Sequence, residues 1–299
     1  MSPTLEGYIM FRTLPQILLG ATLSTIAITA NASIGAKVAQ KMQANYDSTP
    51  PQCEGEAVPA HACSGVLLRS TRPSPAYHTW HHSPNSKAKG AVSFSYLRAD
   101  IPVTRLAEDG RSGFTLHPML QRPKGTMRYE MLCAMPSDGD TWERGSRGCG
   151  DNRQTAEVET VCHEQGILTA EDWIAQFRKT GDYKQQCAFD IQRARVPERA
   201  EAFHQSLRTR QLFAAEMPFP WNEVMIGAWD EARSASLPIQ SFFYIDGPHG
   251  ALEQAQADQR DMHQTHGSFI PVIRIQLPKS LQDGARFSYH EDDQAVALP

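Results

Sequence analysis

Long apolar runs, an excess of basic charge, internal repeats and closely spaced cysteine pairs are all missing from this chain of 299 residues. Each absence excludes something. With 29 Lys and Arg against 33 Asp and Glu, the formal charge is −4, so the dominant basic face of a general nucleic-acid binder is lacking. No segment reaches the roughly 20 apolar residues that span a bilayer. Without a Cys-x-x-Cys pair there is no basis for a structural zinc site. No Gly-x-Ser-x-Gly elbow marks a serine hydrolase. His163-Glu164 is not followed by a histidine one helical turn on, so the metalloprotease pattern fails as well. What is present, 40 % hydrophobic and 8 % aromatic residues, is a globular composition long enough for a substantial core. Its partner is expected to be a small molecule or a protein.

The N-terminus has the three parts of a secretory signal. Met10-Phe11-Arg12 opens it, an apolar run follows from Ile17 to Ile28, and Ala30-Asn31-Ala32 supplies a small-residue exit. Glu6 does not suit a signal's basic region, which points to Met10 as the start. The mature chain is expected from Ser33, in a secreted or periplasmic location. Cysteine usage agrees: Cys53, Cys63, Cys133, Cys149, Cys162 and Cys187 make an even count, which in an exported chain implies disulfides. Six cysteines allow fifteen connectivities. Neighbour pairing (53–63, 133–149, 162–187) is the expectation, because each bridge would staple a loop rich in glycine, proline or charge.

Local patterns place the elements. Ile34, Val38, Met42 and Tyr46 fall four apart and predict a helix, which Thr49-Pro50-Pro51 and the stretch from Glu54 to Pro59 break. Strands are expected at Gly65–Arg69, Ala91–Leu97, Arg128–Met135, Ile239–Ile245, Phe269–Leu277 and Arg286–Tyr289. In Ala91–Leu97, Val92, Phe94 and Tyr96 share one face and Ser93 and Ser95 the other, the pattern of a half-buried strand. Thr169-Ala170-Glu171-Asp172 ahead of Trp173 reads as a capping-box start. A further helix follows Pro197, with Ala200, Phe203 and Leu207 on one stripe, and Ala251–His263 reads as a polar helix. Residues 136–155 read as a surface loop pinned by Cys149. His78, His81 and His82 crowd around Trp80 in a proline-rich segment and read as solvated loop histidines, while His263 and His266 suit the C-terminal dipole of their helix. Strands in the core positions with helices clustered between them give an α+β fold.

The chemistry gathers at three places. Arg69 ends a strand, with Arg72-Pro73 close behind; Ser93-Phe94-Ser95 presents two hydroxyls on one strand face; Glu223 stands just ahead of the apolar Val224-Met225-Ile226. In that order they resemble the Arg-Ser-Glu class of ADP-ribosyltransferase toxins, the cholera-like toxins. A second resemblance, covering most of the chain from about Cys63 onward, is to the halovibrin family of secreted bacterial proteins. It is carried by Cys63-Ser64-Gly65-Val66-Leu67-Leu68-Arg69-Ser70-Thr71, by Gly90-Ala91-Val92-Ser93-Phe94-Ser95-Tyr96-Leu97-Arg98, by Trp221-Asn222-Glu223, and by Phe242-Phe243-Tyr244 through Pro271-Val272-Ile273-Arg274.

These resemblances imply two small mixed sheets around an NAD cleft with flanking helices. Residues 1–32 would then be the signal peptide, 33–61 an N-terminal helix and linker, and 62–299 an ADP-ribosyltransferase-like catalytic domain. The implied activity is NAD cleavage, as ADP-ribosyltransferase, NAD glycohydrolase or both. Glu223 would hold the ribose 2′-hydroxyl and stabilise the oxocarbenium character that develops as nicotinamide leaves. Arg69 would engage the diphosphate and ribose face with its planar fork, and Ser93 would orient Glu223. Ser95 and Trp221 complete the NAD-binding set. NAD enters as substrate and no metal is expected; the partners are NAD and a protein acceptor of ADP-ribose, for a monomer with no nucleic acid and no membrane span. The chain departs from the toxins in three respects. Phe94 replaces their threonine, only 24 positions separate Arg69 from Ser93, and Trp221 stands where arginine-modifying members carry Glu or Gln. NAD hydrolysis or another acceptor therefore stays open. Trp221, Met225, Ala228 and Trp229 also fit a helical stripe, which would take Glu223 out of a loop-to-strand position. The rival class is a secreted, disulfide-stabilised binding or adhesion module without catalysis.

Overall fold

The computed structural model describes residues 33–297 apart from 54–57, 108–109, 151–160, 183–185, 193–197, 248–249 and 281; the segment read as a signal lies outside the described residues. Ser33 opens helix α1 (Ile34–Asp47), its hydroxyl accepting the Ala36 N–H at 3.2 Å, a cap worth about 1 kcal/mol. Of the four residues spaced four apart, Met42 and Tyr46 are buried together with Ala39, Val38 is half-buried and Ile34 is exposed, so the stripe seen in the sequence is buried only in the second half of the helix. After it come a ribbon of β1 (Gln52–Cys53) and β2 (Val58–Pro59), then β3 (Val66–Ser70), α2 (Pro84–Lys89), β4 (Ala91–Leu97), β5 (Ser112–Leu116), β6 (Met131–Met135) and the turn α3 (Gly145–Gly148). The chain continues through α4 (Ala170–Thr180), β7 (Phe189–Asp190), α5 (Glu198–Phe213), β8 (Glu223–Gly227), β9 (Ile239–Ile245), α6 (Ala251–His266), β10 (Val272–Gln276) and β11 (Arg286–Ser288). Thr169 and Asp172 close the capping box that starts α4.

Helices and strands are mixed, as the α+β reading has it, but the two sheets are unequal. One is the β1–β2 ribbon; the other has nine strands in the order β11-β10-β9-β5-β3-β4-β8-β6-β7. Every neighbouring pair in the larger sheet is antiparallel except β9 and β10, which run parallel. A parallel pair needs a crossover, and α6 supplies it, packing back on β9 and β5. α1 packs against β11, so the N-terminal helix belongs to the same compact unit as the sheet. The disulfides are Cys53–Cys63, Cys133–Cys149 and Cys162–Cys187, the neighbour pairing. Among the described residues no helix is long and apolar enough to cross a membrane.

The large sheet forks at β4. Its C-terminal half ladders with β3, from Val66 opposite Leu97 to Leu68 opposite Ser95. Its N-terminal half ladders with β8, from Ala91 opposite Gly227 to Phe94 opposite Val224. Beyond Leu68, Arg69 and Ser70 stay with β5, opposite Phe114 and Gly113. Gly113 makes this close approach feasible, since a Cβ there would lie 1.9 Å from the Arg69 carbonyl oxygen. β3 and β4 thus part company where the sequence carries its arginine and serines.

Candidate active site

The fork opens into a cavity of about 380 Å³, within the range of roughly 300–1,000 Å³ usual for small-molecule sites. Its lining includes Arg69, Ser93, Ser95, Trp221 and Glu223, all five of the residues singled out in the sequence. Arg69 reaches across the gap and donates from Nη1 to the Ser93 carbonyl at 2.9 Å. That carbonyl lies on the stretch of β4 where the β3 ladder has ended, so the guanidinium bridges the two arms of the fork.

Glu223 is the first residue of β8. The helical stripe through Trp221, Met225, Ala228 and Trp229 does not form; Val224, Met225 and Ile226 are strand residues between β4 and β6. The side chain of Asn222 decides where the strand begins. Its Oδ1 accepts the Tyr96 N–H and its Nδ2 donates to the Tyr96 carbonyl, both at 2.9 Å. The amide imitates one more rung of the ladder and fixes Glu223 against β4.

Glu223 is 6 % exposed, and its carboxyl is held by donors. Gly139 N–H donates to Oε2 and the Thr141 hydroxyl to Oε1, each at 2.9 Å. Ser93 adds a hydrogen-bonding interaction from β4. Burial nonetheless pushes the carboxyl above the usual glutamate range, with the charge of Asp138 raising it further; the hydrogen bonds from Ser93, Gly139 and Thr141 oppose the shift. A carboxylate offers about four lone-pair sites. Gly139 and Thr141 take one on each oxygen, which leaves others for Ser93 and for a ligand hydroxyl.

Both donors come from residues 136–144, read in the sequence as surface loop. The structure corrects that: Ser137, Thr141 and Arg144 are buried, because the segment is the lid over Glu223. Asp140 takes a left-handed conformation, φ 49°, which aspartate tolerates better than most residues. It turns the chain between the two donors. Gly139 packs tightly on β6, since a Cβ there would fall 1.7 Å from the Met135 sulfur and displace that side chain. Trp142, 50 % exposed, stands at the cavity's rim, and Phe219 lies against Trp221 with ring centroids 4.7 Å apart. Asn222 was in view in the sequence only as the neighbour of Glu223. Gly139, Thr141 and Arg144 carried no signal there, because they act through a loop about 80 residues away from Glu223 in the chain.

The histidine segment is also corrected. Trp80 and His82 are fully buried, His82 Nε2 bonds the Trp229 carbonyl, and His78 Nδ1 meets Asp261 Oδ2 at 2.5 Å. Among the described residues no three His, Cys, Asp or Glu side chains are grouped to hold a metal ion. Three larger cavities, of about 880, 1040 and 540 Å³, lie beside the ends of β9 and β10, beside this histidine segment and beside α2 and α3; none contains the arginine, serine and glutamate together. In comparisons with known proteins, no family model matches the chain and no curated protein matches it.

Proposed function

We propose that this is a secreted enzyme that cleaves NAD at the nicotinamide–ribose bond, passing ADP-ribose to water or to a protein acceptor. The observation that carries the reading is the meeting of Arg69, Ser93 and Glu223 in one cavity at the fork of the sheet. The order of these residues along the chain and their resemblance to the Arg-Ser-Glu toxins support the same conclusion.

The chemistry follows from the geometry. Nicotinamide departs as a neutral ring while positive charge spreads over the ribose C1′ and ring oxygen. Glu223, pinned between Gly139 and Thr141, offers that charge a fixed anion with no side-chain reorganisation, the arrangement that lowers a barrier most effectively. A free lone pair on the same carboxylate accepts the 2′-hydroxyl. Arg69 and Arg72 line the opposite wall, where a diphosphate would meet planar guanidinium donors. The exposed ring of Trp142 and the face of Trp221 suit a flat heteroaromatic group. With Trp221 at the position two before Glu223, no carboxylate stands there to engage an arginine acceptor, which favours water or another nucleophile.

The test is direct. Purified protein incubated with NAD should release nicotinamide, and Glu223→Gln should abolish nearly all of it. If the wild type releases none, the binding-module reading takes over.

A further inference from the structure

Arg144 is outside the cavity and 1 % exposed, yet its contacts lead to Glu223. Its Nε donates to the Gly139 carbonyl, and Nη1 donates to the carbonyls of Gly150 at 3.0 Å and Gln186 at 2.6 Å. Gly139 is the residue whose N–H holds Glu223 Oε2. One residue therefore has its carbonyl held by a buried cation and its N–H on a buried carboxylate. The other two carbonyls sit beside covalent anchors. Gly150 follows Cys149, which is bonded to Cys133 on β6, and Gln186 precedes Cys187, which is bonded to Cys162.

Burying a guanidinium is costly unless its donors are all used well. Here the planar fork spans three carbonyls from three separate segments, a task a lysine's single ammonium point cannot reproduce. We propose that Arg144 is a positioning residue for Glu223: it ties the Gly139 peptide to two disulfide-anchored segments, so that the Gly139 N–H and Thr141 hydroxyl stay aimed at the carboxylate. The catalytic part of this inference rests on the NAD-cleaving reading; the positioning part does not. The charged groups that share the cavity with Glu223 are Arg69 and Arg72 on the β3 side and Asp138 and Asp140 on the loop. Arg144→Lys leaves all of them in place.

The experiment follows the Glu223 carboxyl carbon by NMR across a pH titration, in wild type and Arg144→Lys, together with the pH dependence of nicotinamide release. Hydrogen bonds from Gly139 and Thr141 favour the charged carboxylate, so their loss raises its pKa. The expected shift is upward by about one to two pH units in a folded variant, since a charge-assisted hydrogen bond has that order of effect. The acid limb of kcat moves up with it, and KM for NAD stays within about twofold because Arg144 itself does not line the cavity. If Arg144→Lys does not fold, the Cys133→Ala/Cys149→Ala double variant, which slackens the Gly150 anchor and spares the guanidinium, should move the titration in the same direction by less. A folded variant with an unmoved Glu223 titration overturns the proposal, whatever its turnover. A shifted titration in a protein whose wild type releases no nicotinamide sustains the positioning role and overturns the NAD reading alone.

Discussion

Glu223→Gln separates catalysis from structure because the site can accept the amide. The Gly139 N–H cannot turn, so the glutamine oxygen must take the Oε2 position and accept it. The amide nitrogen then faces Thr141, whose hydroxyl rotates from donor to acceptor. Neither group is orphaned and no cavity opens. The charge, however, is gone, and removing one preorganised electrostatic partner costs on the order of 100- to 1000-fold in kcat. KM should change little, since in the proposed mechanism the carboxylate acts mainly as positive charge develops on the sugar. Stability moves the other way. The folded carboxyl titrates above its ordinary value of 4.5 because it is buried. Between 4.5 and the raised value the native state keeps a proton that the unfolded chain has released, so wild-type stability falls as pH rises through that window. Glutamine has no proton to lose. The variant should therefore melt at or above the wild-type temperature at pH 8, with the difference shrinking toward zero below pH 4.5, its ordinary value. Nicotinamide release at saturating NAD and thermal melts at pH 4 and 8 check both halves. Wild-type turnover would remove Glu223 from the chemistry, and a melting temperature lowered at pH 8 would refute the account of how the carboxyl is held.

The remaining predictions concern other positions. Arg69→Lys keeps the charge but not the fork or the bond to the Ser93 carbonyl, and should lose about 10- to 100-fold in kcat/KM for NAD; unchanged kinetics would place Arg69 outside the site. Asp258 is pushed up to about 6 by burial, from 3.8, so its folded form holds a proton the unfolded chain gives up between those values and stability declines as pH rises across them. Asp258→Asn should stabilise the protein at pH 7 by at most about 3 kcal/mol, measured by urea unfolding, with no gain below pH 4; a destabilised variant at pH 7 would show that the charge is compensated. Peptide mapping under non-reducing conditions should recover Cys53–Cys63, Cys133–Cys149 and Cys162–Cys187, and any crossed pair would contradict the fold.

Periodicity made the regular elements legible. β4 and β9 occupy the residues their alternation and apolar content indicated, and α4 starts at the capping box written in Thr169 and Asp172. β5 was invisible. Ser112-Gly113-Phe114-Thr115-Leu116 has a glycine at its second position, which weakens any strand signal, yet the glycine is there because β5 must pass the Arg69 carbonyl closely. β10 begins only at Val272, since Pro271 has no N–H to give the ladder. The segment around Trp80 was read as exposed from its prolines. Prolines establish irregular backbone, and irregular backbone can still be covered: here α6 covers it, with Asp261 accepting from the Trp80 indole at 3.0 Å.

The site divides along the same line. Arg69, Ser93 and Glu223, which line one cavity, could be picked out in the sequence because each sits on or beside a strand, where a short motif fixes both its position and its direction. The residues that make Glu223 usable could not. Gly139 contributes a backbone N–H, which no residue type advertises; Thr141 and Arg144 lie in a polar stretch whose composition is that of any surface loop. What distinguishes that stretch is physical demand. A carboxylate buried at the head of β8 needs donors, β6 is the strand beside β8, and the chain leaving β6 after Met135 supplies two of them. The Cys133–Cys149 bridge keeps that segment folded back over the strand pair it left. A glutamate at the start of an interior strand, followed in space by a disulfide-closed loop from the adjacent strand, is thus a pattern that can be sought once strand order is known. Before the order of β4, β8 and β6 is established, nothing connects residue 139 to residue 223.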